Sequence, residues 1–213
     1  MIHFLKDGLE PLSYLIYTIA VYLTLRRGKP VRKEVLFIYY LVATFIITIA
    51  CYTPSDHVNR ILYNVFFFIM ICIISYYFHS LFEKKMKKNI VKVCFGLHLV
   101  TFITISLISP RLLEINNYVY GITYLTIIVY ALLYFEQVLS NITEVKLLHQ
   151  FDFWLISGYL LYFLSSFFII FFYDNVDIDQ RAMLWSVQNF ILFLCSVFTL
   201  AGSVWIKYQT RYY

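Results

Sequence analysis

The chain has 213 residues, of which 62% are hydrophobic, 21% aromatic and only 14% charged, with a mean hydropathy of +0.75. A water-soluble domain keeps about a quarter of its residues charged to wet its surface, so a free-standing globule is excluded and lipid is indicated. The net charge of +5 is gathered in a few turns, and interfacial lysines and arginines account for it better than nucleic-acid binding does.

A helix needs about 20 predominantly apolar residues to cross the hydrocarbon core. The alternation over about 10 residues that marks a membrane β-barrel strand does not appear. The first apolar run is Leu9–Leu25. It follows MIHFLKDG and holds Glu10 and Pro11, with no small-residue cleavage site at its end, so it is expected to stay as an anchor. Tyr14, Thr18 and Tyr22 recur on it at four-residue steps. The turn LRRGKPVRKE then supplies Arg26, Arg27, Lys29, Arg32 and Lys33 before the second run, Val35–Tyr52.

The third run, Ile61–Leu81, carries Asn64 near its start, and FEKKMKKNIVK follows with Lys84, Lys85, Lys87, Lys88 and Lys92. The fourth, Ile90–Ile108, has His98 near its middle. The fifth, Tyr118–Leu139, presents a broad polar face of Tyr120, Thr123, Tyr124, Tyr130, Tyr134 and Gln137. SNITEVKLLHQFD leads to the sixth, Phe153–Tyr173, in which Trp154, Gly158, Tyr162 and Ser165 share a face beside Ser166. The loop DNVDIDQR carries Asp174, Asp177 and Asp179, but it lacks the glycine and bidentate glutamate of a calcium-binding EF-hand loop. The seventh run, Ala182–Ile206, places Trp185, Asn189, Leu192, Ser196, Thr199 and Ser203 on one heptad seam. The reading is an all-α integral membrane protein, a single domain of seven transmembrane helices over residues 1–213.

Basic residues orient the bundle. The two turns above, with Lys146, Lys207 and Arg211, fall on one side, and only Lys6, Arg60, Arg111 and Arg181 fall on the other. The positive-inside rule then puts the N-terminus outside and the C-terminus in the cytoplasm. Pro11, Pro30, Pro54 and Pro110 all lie at span ends or in loops, so the sequence lacks the interrupted spans that point to a transporter with broken helices.

The chain carries no HExxH, GxSxG, P-loop or histidine cluster, so catalysis has no constellation to rest on. Cys51, Cys72, Cys94 and Cys195 sit in apolar runs without a CxxC pair and read as small hydrophobes. No cofactor or metal is expected. Ionisable residues deep in a membrane are functional candidates, and His98 is the clearest. Glu136 and Asp152, at the ends of spans five and six, are expected to pair with the basic turns. Asn64, Gln188 and Asn189 lie near the outer side, where they can head a neutral pocket completed by His98, Tyr124, Tyr162 and Trp185. The competing reading is that these polar seams only pack the helices.

The runs FWLISGYLLYFLSSFFIIFFYD and MLWSVQNFILFL resemble the last two spans of a group of small seven-span bacterial membrane proteins, often encoded beside sensor histidine kinases. Phe153, Trp154, Gly158, Tyr162, Ser166 and Phe167, then Leu184, Trp185 and Asn189, carry the likeness, with Ser165 where a second small residue is expected. The resemblance implies membrane signalling with a partner. The expectation is therefore a non-enzymatic sensory or accessory protein of the bacterial inner membrane, relaying an outer or lipid-borne cue, such as an amphiphilic ligand or lipid. Its partner would be a cytoplasmic or membrane signalling protein, docked at Arg26, Arg27, Lys29, Lys84, Lys85, Lys87 and Lys88 with the segment 144–149. The alternatives are a transporter or channel for a small neutral or amphiphilic solute, and a structural subunit of a membrane complex. Homo-oligomerisation stays open.

Overall fold

The computed structural model describes residues 8–25, 31–53, 56–108, 117–140, 148, 150–173 and 175–209. They form seven helices: α1 Leu9–Leu25, α2 Val31–Tyr52, α3 Asp56–Leu81, α4 Lys85–Ile108, α5 Asn117–Ser140, α6 Phe151–Tyr173 and α7 Ile178–Gln209. Five of them, α2, α3, α5, α6 and α7, contain stretches long and apolar enough to cross a membrane. α1 is apolar but has 17 residues, and α4 opens on Lys85, Lys87, Lys88 and Lys92.

Most helices begin before the apolar runs that mark them. α2 starts at Val31 instead of Val35, and α4 at Lys85 instead of Ile90. Lys, Arg and Glu are good helix formers, so a polar first turn continues the backbone ladder that a hydropathy window does not register. Glu34 in the first turn of α2 and Asp152 in that of α6 also suit the positive end of the helix dipole.

Each helix packs on its neighbours in the chain and α7 packs back on α1, which closes a ring. α3 and α5 also touch each other, leaving α4 on the periphery of that side. Tyrosines fill the ring: Tyr14 and Tyr17 from α1, Tyr39 and Tyr40 from α2, Tyr77 from α3, Tyr124 and Tyr130 from α5, and Tyr159 and Tyr162 from α6 are all buried. Tyr17 stacks on Tyr40 at 4.9 Å between ring centroids, and Tyr14 meets Phe66 edge-on at 5.4 Å. The hydroxyls of Tyr40 and Tyr159 bond to each other across the α2–α6 gap. Large apolar side chains such as Phe45 and Phe171, 69% and 70% exposed, face outward, the reverse of a water-soluble core.

Small residues let α6 and α7 approach closely, as helices that cannot rely on water to drive them together require. Gly158 faces Thr199 and the Cys195 carbonyl, and Gly202 lies under the ring of Trp154. The α7 seam points inward as its spacing predicts: Ser196 and Thr199 are 0% exposed and Ser203 2%. Their hydroxyls donate within the helix, Thr199 to the Cys195 carbonyl and Ser203 to the Thr199 carbonyl at 2.9 Å each. A hydroxyl spent on its own helix packs as a small group and offers little to a ligand.

Tyr22 departs from the sequence reading, being 43% exposed. Two successive four-residue steps rotate a helical stripe by about 80°, so the buried face of α1 continues through Tyr17 and Val21 instead.

Candidate functional site

Polar side chains from five helices meet at the end of the ring where α1 begins. Glu10, in the first turn of α1, is only 6% exposed. The Tyr63 hydroxyl of α3 donates to Glu10 Oε2 at 3.0 Å, and the Tyr63 ring meets Trp185 of α7 edge-on at 6.1 Å. Next to Tyr63 in α3, Asn64 accepts from the Tyr120 hydroxyl of α5 at 3.1 Å. One turn further along α5, the Tyr124 hydroxyl accepts from Gln188 Nε2 of α7 at 3.2 Å, and the same nitrogen donates to Tyr162 of α6 at 3.3 Å. Gln188 therefore ties α5, α6 and α7 at one atom. Tyr120, Tyr124 and Tyr162 all lie within electrostatic range of the Glu10 carboxyl.

The structure thus brings together Asn64, Tyr124, Tyr162, Trp185 and Gln188 from the sequence reading. Asn189 is buried beside Gln188 at 2% exposure. His98 is buried too, but it lies on the peripheral α4, shares no hydrogen bond with the cluster, and its Nδ1 has no partner. Glu10 and Tyr63 are the members that the sequence reading missed. The signal for Glu10 was its spacing: Glu10, Ser13, Tyr14, Tyr17 and Thr18 trace one buried stripe of α1.

Below the cluster, Tyr14, Tyr17, Tyr40, Tyr159 and Tyr162 enclose a cavity of about 20 Å³. Sites for drug-sized ligands run to roughly 300–1,000 Å³, whereas a single water fits a space of about this size. The Tyr17 hydroxyl is buried there, and it lies with the Thr199 hydroxyl against Gly158.

A second polar knot closes the opposite end. Asp152, at the start of α6, accepts from Arg32 of α2 at 2.8 Å and from the Tyr77 hydroxyl of α3 at 2.6 Å. Lys33 lies over the Phe151 ring, 5.5 Å from its centroid. Both acids that the sequence reading assigned to ion pairs are so engaged, Asp152 with Arg32 and Glu136 with Lys87.

Lys87 does not belong to an exposed docking face. It is 1% exposed, and its ammonium donates to the Leu133 carbonyl at 2.7 Å and pairs with Glu136 across α4 and α5. Its position on the inner face of α4, one turn before the buried Val91, turns it inward while Lys84 and Lys85 stay exposed and Lys88 is half-buried. Arg26, Arg27, Lys29 and most of the segment 144–149 lie outside the described residues. Among the described residues no group of three or more His, Cys, Asp or Glu side chains is placed to hold a metal, and none of the four cysteines is in a disulfide.

Compared with known proteins, the chain matches no family model, no curated protein and no solved structure.

Proposed function

We propose that this chain is a seven-span sensory or accessory protein of the bacterial inner membrane, N-terminus outside and C-terminus cytoplasmic, that acts through a partner and not by catalysis. The observation that carries the reading is Gln188, whose single amide nitrogen holds Tyr124 and Tyr162. A change in packing at the outer end is thereby felt by α5, α6 and α7 together. A cue shifts such an equilibrium only by binding the two packings unequally, and the Glu10–Tyr63 bond between α1 and α3 adds an acidic acceptor to the cluster. The tyrosine-filled interior, with room for about one water, weighs against a solute path and so against the transporter reading.

The test uses the full chain, tagged and extracted from native membranes. A stoichiometric partner, retained by wild type and lost from Gln188→Leu and from Lys84→Gln/Lys85→Gln, supports the proposal. Absence of any partner, together with solute flux in proteoliposomes above that of empty vesicles, would reject it in favour of transport.

A further inference from the structure

Lys84, Lys88 and Lys92 follow one another at four-residue steps around the start of α4, each step turning about 40°, so they fan across one flank with Lys88 between the other two. Lys84 and Lys92 are exposed, Lys88 is half-buried, and Lys85 stands exposed beside them. Lys84 immediately precedes the helix, and its carbonyl accepts the Lys88 N–H at 3.2 Å. Lys84 and Lys85 therefore sit at the positive end of a helix dipole, where cations are disfavoured, with Lys88 and Lys92 on the next two turns.

The neighbouring helix adds to this imbalance. His79 of α3 lies within reach of the charges of Lys88 and Lys92, and its Nε2 is buried with no hydrogen-bond partner. The nearby carboxylates compensate only the first of these charges. Glu136 pairs with the internal Lys87 and lies within reach of Lys84, and among the described residues Glu83 forms no ion pair. An anion seated between Lys88, Lys92 and His79 would relieve the repulsion and supply the missing partner.

Beyond Lys92 the same flank of α4 turns apolar. Phe95 and Leu99 are half-buried and Ile103 is 54% exposed. Gly96 leaves a gap, with no atom within 4 Å of where a Cβ would sit. α3 lines the other side of this track, its Phe68 ring 5.3 Å from that of Phe102. A cationic head site that runs into an apolar groove matches a phospholipid end to end, whereas a soluble phosphate uses only the first part.

We propose that Lys88, Lys92 and His79 bind the phosphate headgroup of an anionic phospholipid, with an acyl chain lying along Phe95, Gly96 and Leu99. The site rests on the membrane placement of α3 and α4 proposed above and not on signalling, so loss of a protein partner would leave it standing.

Native mass spectrometry of the full chain in detergent tests it, with added phosphatidylglycerol, cardiolipin or phosphatidylcholine. Wild type retains the anionic lipids in clear preference to phosphatidylcholine. Lys88→Gln/Lys92→Gln weakens their retention about 25-fold, at roughly fivefold per interfacial lysine, while Lys88→Arg/Lys92→Arg keeps it. Gly96→Leu, which fills the track, weakens retention with the lysines intact. Equal retention of phosphatidylcholine, or an unaffected glutamine pair, would overturn the proposal. So would full displacement by inorganic phosphate with no effect of Gly96→Leu, which would assign the site to a soluble anion.

Discussion

The indole of Trp154 on α6 lies directly over Gly202 on α7, and a methyl group at Gly202 would need space that the ring already occupies. Overpacking of this kind costs roughly 1–3 kcal/mol. Gly202→Ala is therefore expected to lower the unfolding midpoint in detergent, and Gly202→Ala combined with Trp154→Leu to recover part of it. Gly96→Ala serves as the control. Its Cβ meets nothing within 4 Å, and replacing a mid-helix glycine with alanine stabilises by about 0.5–1 kcal/mol. Equal destabilisation by the two alanines would show that the Trp154–Gly202 contact has no special role.

Asp152 joins three helices through Arg32 and Tyr77. Its side chain is 13% exposed and that of Arg32 23%, so solvent screens the pair less than it would a surface bridge. Asp152→Ala strands both donors and is expected to cost about 2–3 kcal/mol, against about 1 kcal/mol for Tyr77→Phe. Replacing both charges together, Arg32→Met with Asp152→Leu, is expected to cost less than Asp152→Ala alone, because the penalty comes largely from a charge left without its partner. Unfolding of the single and double variants in one detergent measures this coupling, and purely additive losses would contradict it.

The seven helices and the inward seam of α7 are legible because apolar length marks a helix and its period marks the buried face, although only five of the helices are long and apolar enough to cross a membrane. Ser196, Thr199 and Ser203 lie where their spacing puts them. The site is less legible because residue type says less than helical phase. Tyr22 follows Tyr14 by two four-residue steps, and two such steps drift off the face. Lys87 resembles its exposed neighbours in type but precedes Val91 by one turn on the inner stripe. Glu10 is charged near a helix start, yet it stands in register with Ser13, Tyr14 and Tyr17. The Asp152–Tyr77 bond joins residues 75 positions apart, and no local pattern in the sequence encodes it.

Gln188→Leu removes both donations to Tyr124 and Tyr162 while keeping side-chain bulk. Hydrogen bonds between membrane helices average about 0.6 kcal/mol each, so the expected stability loss is only about 1 kcal/mol. The informative readout is hydrogen exchange in nanodiscs. Amides at the facing ends of α5, α6 and α7 are expected to exchange faster together, because one amide holds all three helices. Acceleration limited to α7 would mean that Gln188 satisfies itself without coupling its neighbours.

The topology prediction turns on α4, whose polar first turns keep apolarity alone from deciding whether it crosses. Lys85 opens it and Asn175 follows α6, and both are exposed. If α4, α5 and α6 all cross, the two positions lie on opposite sides of the membrane, with Lys85 in the cytoplasm under the positive-inside rule. In a background lacking the four native cysteines, an impermeant maleimide should label Asn175→Cys on intact cells and Lys85→Cys only in inverted vesicles. The reverse pattern would keep three crossings and invert the protein. Labelling of both from one side would mean that one of the three helices lies along the surface, and α4 would be that helix. Its lysines would then run along the headgroups instead of meeting them at one end, and Lys88 and Lys92 should label as freely as Lys85 when each is replaced by cysteine.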